Sequence, residues 1–354
     1  MKVILLSPSR GAEAHYARYL ATALREEGVT VKDVNVFLRN FWQIPKLLLL
    51  LHRQNAKLIH INAHMLSWSD NLWLNGLASF LPMLLRLQGK KVVLTLHNIP
   101  ESIDRPYAST LYHLGTSAWL FGEMALLLYA RANRVCVTVK EYAKSMTRRY
   151  RARVSFVPHG VPDLPNNSSA STRKGILAFG YISPTKDYET LLAAFERILS
   201  KERGTRLIIA GSSHPHFPNW MAYLKQKTMR LNLPIEFTGF VQEQELSRLF
   251  SSATLVVLPY LTTTGTSGAF HIAARYTKPV VASDIREFRR LLQSGGGLLL
   301  YRSRDYGDLA NTMLDLLRSP TLALRLSTQN KIFSETNSMR ETARQYLNIY
   351  QKLS

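Results

Sequence analysis

Short apolar runs alternate along the chain with longer segments that keep their apolar residues on one face, the pattern of a parallel sheet wrapped by helices. In the first half, Lys2–Leu6, Val31–Val36, Leu58–Asn62, Val92–Leu96, Arg134–Val139 and Val154–Val157 predict strands. Between the first two, Ala12–Glu27 carries Tyr16, Tyr19, Leu20 and Leu24 at helical spacing and predicts a helix. A second series opens with strand Gly175–Phe179, helix Tyr188–Leu199, strand Arg206–Ala210, a helix around Trp220–Leu231 and strand Ile235–Phe237. It continues with helix Gln244–Ser251, strand Thr254–Leu258, helix Gly268–Tyr276 and strands Pro279–Ala282 and Gly297–Leu300. A last helix is expected around Met339–Leu353, where the apolar stripe is strong.

The two series are separated by Pro162–Arg173, rich in Pro, Asn and Ser and nearly without apolar residues, which reads as a linker or exposed loop. Met1–Ser7 reads as a first strand and not as a secretory signal, so the two Asn-x-Ser triplets of the linker are expected to be loop composition. A length of 354 residues suits two domains. The expected division is 1–165 and 166–335, with a ligand cleft between them lined by loops at the carboxyl ends of the strands.

Composition narrows the class. With 46% hydrophobic and 19% charged residues, the chain can build full-sized cores. The single cysteine, Cys136, excludes a disulfide framework and a Cys-rich metal site, and its apolar neighbours predict a buried thiol. Leu111–Ala130 has the length of a membrane span, but Gly115, Thr116, Ser117 and Gly122 dilute it, so it reads as a buried or membrane-resting helix. Charge is the loudest feature: 45 Lys+Arg against 24 Asp+Glu, a formal +21. Such an excess attracts polyanions. No nucleic-acid-binding motif accompanies it, so an anionic membrane face explains it better than nucleic acid does.

Four elements of the second half carry candidate chemistry. Gly180–Asp187 (GYISPTKD) joins a strand to a helix, where a glycine lets backbone approach a ligand and Lys186 can meet phosphate with the helix dipole. An ordinary turn with an exposed lysine fits that position equally. Thr238-Gly239-Phe240-Val241, at a strand end, could present backbone groups to a flat base. Thr262–Phe270 (TTTGTSGAF) opens a helix with hydroxyls and two glycines, more than a Ser/Thr cap requires, and reads as an anion pocket. Lys278–Asp284 leads a basic residue into a buried strand.

In this order and spacing the elements resemble the retaining glycosyltransferases of family 4. The resemblance is strongest at Phe179–Phe195, Ile208–Gly211, Phe237–Leu249 and Leu258–Phe288. Val157–Val161 resembles that family's Pro-Asn-Gly-Val stretch, and Thr138–Tyr142 its Val-Ser-Glu turn. The resemblance implies an α/β fold of the GT-B kind: two Rossmann-like, doubly wound domains facing across a cleft, with a C-terminal helix (336–354) packing back on the first. It implies donor contacts from Gly11, Gly180, Tyr181, Lys186, Gly211, Gly239, Val241, Thr264, Thr266, Ser267 and Gly268. His97 matches a histidine that contacts the transferred sugar, and it and Lys186 are the expected catalytic residues. Arg10, His64 and Asn98 are the expected acceptor contacts; His60, beside the same strand end as His64, is not among them.

Two departures stand out. Tyr181 occupies the usual arginine position of the diphosphate-binding pair. Thr264 and Ile272 occupy the positions of a glutamate pair separated by seven residues. The chain is thus expected to move a hexose from a UDP- or GDP-sugar to a glycan or lipid-linked acceptor, in exopolysaccharide or cell-surface glycan synthesis. A non-catalytic nucleotide-sugar-binding partner subunit is the alternative. Because front-face transfer lets the departing diphosphate help deprotonate the acceptor, no protein base, metal or cofactor is expected. The expected location is cytoplasmic, peripheral on the inner face of the cell membrane, with no nucleic-acid partner.

Overall fold

Near-continuous apolar strands must be covered on both faces, and in a computed structural model they are. The structure describes residues 1–65, 67–100, 116–165, 175–215, 217–263 and 265–353. By contact it divides into two compact units: Met1–Gly160 with Thr264–Thr266 and Asn337–Ser354, and Val161–Thr263 with Ser267–Thr336.

The first unit holds a six-stranded sheet of β1 (Lys2–Pro8), β2 (Thr30–Val36), β3 (Leu58–Ala63), β4 (Lys91–Leu96), β5 (Arg134–Val137) and β6 (Val154–Phe156). Its order is β2-β1-β3-β4-β5-β6, all parallel. The strand period of two sorts the side chains. Ile59, Ile61, Leu94 and Val135 face one core with α2 (Gln43–His52), α3 (Leu72–Ala78), α4 (Leu81–Leu87), α5 (Thr116–Tyr129) and α6 (Lys140–Tyr150). Leu5, Val93 and Cys136 face another with α1 (Ala12–Glu26). The Cys136 thiol is buried there, and burial pushes its pKa well up.

The second unit's sheet contains β7 (Gly175–Phe179), β8 (Arg206–Ala210), β9 (Ile235–Gly239), β10 (Leu255–Leu258), β11 (Val280–Ser283) and β12 (Leu298–Tyr301), in the order β12-β11-β10-β7-β8-β9. Its helices are α7 (Tyr188–Lys201), α8 (Trp220–Arg230), α9 (Glu243–Ser251), α10 (Gly268–Arg275), α11 (Arg286–Gln293), α12 (Tyr306–Arg318) and α13 (Pro320–Thr336). The last three were not singled out by the apolar pattern. The helix α14 (Met339–Gln351) returns to the first unit, where Met339, Ala343, Tyr346 and Tyr350 join the α1 core.

Some boundaries differ from the sequence reading. β5 ends at Val137, because the chain turns there and α6 begins at Lys140. β9 runs on to Gly239, through the turn expected to follow it. His60 is not at a strand end: it lies inside β3 and is fully buried. The Leu111–Ala130 segment lies partly outside the described residues, and its described helix starts at Thr116. Among the described residues, no helix is long and apolar enough to cross a membrane.

Candidate active site

In a doubly wound sheet, ligands gather at the carboxyl ends of the strands where the order reverses. In the second unit that point lies between β7 and β10, which are neighbours although distant in sequence. The loop after β7 carries Gly180, Tyr181 and Lys186, and the loop after β10 leads to α10.

The strand ends are stitched together by backbone bonds. The N–H of Gly180 donates to Ala210 at 3.0 Å, that of Gly211 to Gly239 at 2.9 Å, and that of Ile182 to Ser212 at 2.9 Å. Two of these bonds depend on glycine. Gly211 has φ +139°, and a Cβ on it would stand 2.1 Å from the Gly180 carbonyl oxygen. Gly180 itself has φ +120°. At the third strand end, Thr238, Phe240 and Val241 line a cavity of ≈ 820 Å³ that runs along β8 and β9 beside α9.

Lys186 precedes Asp187, the N-cap of α7, whose carboxylate accepts from the Thr190 N–H at 3.1 Å. The Lys186 ammonium donates to the Tyr260 hydroxyl at 3.1 Å and sits 4.2 Å from that ring's centroid. Among the described residues no carboxylate pairs with it. A cation held over an aromatic face and left unneutralised is what an anionic ligand requires. Tyr181 is half-exposed, its ring edge-on to His214 at 5.5 Å.

Ser267 caps α10, accepting from the Phe270 N–H at 3.4 Å. Its own N–H donates to Glu287 at 3.1 Å. Glu287, on α11, is buried and ion-paired with Arg290 at 2.5 Å, so its charge is matched and it fixes the start of α10 from behind. The sequence places Glu287, like Asp284, near the following helix but at neither position of the family's glutamate pair, and gives no sign of its bond to Ser267. Asp284 pairs with Arg289 at 2.5 Å, which holds its carboxyl below the usual range. At Gly268 the space where a side chain would stand is open. Thr266 is half-buried, Ile272 likewise on α10, and Thr264 lies outside the described residues.

The first unit has its own reversal, between β1 and β3. Gly11 caps α1 after β1, and Arg10 is exposed, 4.0 Å over the Phe37 ring and 3.8 Å from Asp70. His64 follows β3 directly, half-buried, with burial lowering its pKa. His97 follows β4. Its Nε2 meets Asn62 Oδ1 at 2.6 Å, while Asn62 Nδ2 donates to the Glu13 carbonyl at 2.9 Å. An amide oxygen only accepts, so Nε2 carries the proton and Nδ1 keeps its lone pair. Burial lowers the His97 pKa to about 4, so the ring is neutral at physiological pH.

Tyr16 packs edge-on against His97 at 4.7 Å and tilted against His159 at 4.7 Å. Tyr16 and Asn62 thus position His97, although neither stood out in the sequence. Asn98 is fully buried: its Oδ1 accepts from the Met65 N–H at 3.1 Å, and its Nδ2 has no partner among the described residues. Behind this site, His60 bridges Tyr350 at 2.5 Å and Thr95 at 2.7 Å, and Thr95 meets Tyr346 at 2.6 Å.

Residues 1–163 match the family described as Glycosyltransferase Family 4, and residues 173–319 match Glycosyl transferases group 1. No curated protein matches the chain. Several solved structures do. Sucrose-phosphate synthase (tll1590) from Thermosynechococcus elongatus has TM-score 0.75 at 18% identity, covering 100% of this chain and 99% of that one. Anabaena Alr3699/HepE in complex with UDP-glucose has TM-score 0.74 at 17% identity, covering 100% of both chains. WaaG, a glycosyltransferase involved in lipopolysaccharide biosynthesis, has TM-score 0.67 at 11% identity, covering 99% of each.

Two parallel α/β domains with these matches define a glycosyltransferase enzyme of the GT-B fold. The chain belongs to the family 4 (group 1) glycosyltransferases.

Proposed function

We propose that this glycosyltransferase moves a hexose from a UDP- or GDP-sugar to a glycan or lipid-linked sugar, with retention of configuration, in exopolysaccharide or cell-surface glycan synthesis. The observation that carries the donor reading is Lys186, an unneutralised cation held on Tyr260 at the β7/β10 reversal. The diphosphate sits against that ammonium and the open start of α10, where the helix dipole adds to the attraction. The base lies against the Gly239–Val241 turn. That a similar structure, HepE, was determined with UDP-glucose supports the donor class. The part played by WaaG in lipopolysaccharide biosynthesis supports a glycan or lipid-linked acceptor.

In the reaction, the bond from the anomeric carbon to the β-phosphate oxygen breaks, and the acceptor oxygen bonds that carbon on the same face. The acceptor's proton passes to a departing phosphate oxygen. Lys186 and the α10 end stabilise the charge growing on the diphosphate. The neutral His97 accepts a hydrogen bond from a hydroxyl of the transferred sugar at Nδ1. Arg10, His64 and Asn98 are assigned to the acceptor. No metal or cofactor takes part in this scheme, so turnover should survive EDTA.

A thermal-shift panel of UDP- and GDP-sugars tests the reading. One nucleotide sugar should raise Tm selectively, and the rise should vanish in Lys186→Ala. A flat panel, or a rise that survives the substitution, would remove the donor assignment.

A further inference from the structure

The outer surface of one helical layer carries exposed apolar side chains that the donor chemistry does not explain. Apart from Met1 and Phe156, every large apolar side chain exposed among the described residues of the first unit lies on or beside α2, α3, α4 and α5. On α5, Leu120, Met124 and Leu127 recur at helical spacing on the side away from the buried Ala125 and Leu126. Leu120 is 64% exposed. The helix therefore has two apolar faces, and the sheet covers one.

Neighbouring helices extend the surface. Trp73 on α3 is 67% exposed and packs edge-on against Phe121 of α5 at 4.8 Å, which locks the two helices together. On α2, Ile44, Leu47 and Leu51 serve the core, while Leu49 and Leu50 point outward. The opposite layer, α1 and α14, has no large apolar side chain exposed among its described residues.

Charge surrounds this surface. Residues 39–153 hold 16 Lys+Arg and 5 Asp+Glu, a net +11 of the chain's +21. On α6, next to α5, Lys144, Arg148 and Arg149 are exposed, with Arg151 and Arg153 just beyond. Among the described residues Arg149 alone of these has an ion-pair partner, Glu123 at 2.9 Å.

We propose that this layer docks on an anionic lipid bilayer, with the α5, α3 and α2 side chains entering the headgroup boundary and the flanking cations meeting lipid phosphates. A second copy of the chain fits less well, since a twofold contact would bring the same cations together. The inference deepens the reading of a lipid-linked acceptor, and it fails separately from the donor assignment.

Flotation of the full chain with phosphatidylcholine vesicles, with and without phosphatidylglycerol, at ~0.15 M salt is the test. The protein should float with the anionic vesicles only. The combined Leu120→Ser, Met124→Ser and Leu127→Ser variant should lose binding by roughly 100-fold. A Trp73→Ser, Leu77→Ser pair should reproduce the loss if that triple variant does not fold. Met229→Ser with Leu231→Ser, exposed positions of the second unit, should bind as the parent does. Three results overturn the proposal: no flotation, equal flotation on neutral vesicles, or a parent that is a dimer in solution and becomes a monomer in the triple variant. The triple variant should keep its nucleotide-sugar thermal shift. A parent that floats but shows no such shift would sink the donor reading and leave the docking surface standing.

Discussion

The two strand-order reversals, one in each unit, are built alike and charged differently. At β7/β10 an ammonium stands unneutralised over Tyr260, beside open space at Gly268. In the first unit Arg10, after β1, lies 3.8 Å from Asp70, and the strand end after β4 holds the buried, neutral imidazole of His97, fixed as a single tautomer by Asn62. Under the proposed function the same topology serves opposite ligand chemistries: a cation for phosphates in one unit, and dry hydrogen-bonding groups for sugar hydroxyls in the other. The side chains at the loops, and not the sheets, make that choice.

The strongest way to break this contrast is Lys186→Ala. It should lower kcat/KM for transfer about 10²–10³-fold, read by nucleotide release, while Tm without ligand stays near the parent's. Next comes pH. His97 is held at about 4 and His60 at about 3, each by burial, against an ordinary 6.5. As pH falls below 6.5 the unfolded chain takes up protons that the native state refuses, so stability is full above that value and drains away toward pH 4. For His97 alone the loss by pH 4 is on the order of 3 kcal/mol. Denaturation across that range should show the slope, and His97→Gln should roughly halve it, leaving the share of His60.

Smaller effects sharpen the comparison. Gly211→Ala should cost roughly 1–3 kcal/mol of stability, because its Cβ has no room against Gly180, and should weaken donor binding as well. Urea midpoints and donor titration would show both. Ser267→Ala removes the α10 cap and should cost about 1 kcal/mol, with a modest rise in donor KM.

Much of this architecture is legible in the chain itself. Gly175–Phe179 and Arg206–Ala210 are strands with the bounds the apolar runs mark, since a strand buried on both faces has nothing polar to blur it. Lys186 and Ser267 also stand where strand-to-helix joints place them. What stays hidden is what depends on a distant partner. Tyr260 beneath Lys186, Glu287 behind Ser267 and Asn62 beside His97 each come from another element, and nothing local distinguishes them. His60 misleads for a related reason: a polar residue in an apolar run looks like a strand end until Tyr350 and Thr95 are seen to satisfy it. Of α11, α12 and α13, only α13 has a weak apolar period; α11, with Phe288 and Leu291 inward, and α12, with Leu309, Met313, Leu316 and Leu317 inward, are amphipathic and were open to the same reading.

The return of α14 to the first unit has a consequence for how the protein is made. Tyr346 and Tyr350 complete a core whose strands are synthesised first, yet they are translated only after the whole second unit. Until they arrive, His60 and Thr95 keep each other but face a gap in the α1 layer, each without its tyrosine hydroxyl. The first unit should therefore remain protease-sensitive on the ribosome long after its own strands have emerged. A nascent chain halted at Thr336 should be cut readily there, and one extended past Gln351 and clear of the exit tunnel should resist. In this molecule the order of synthesis and the order of completion run in opposite directions.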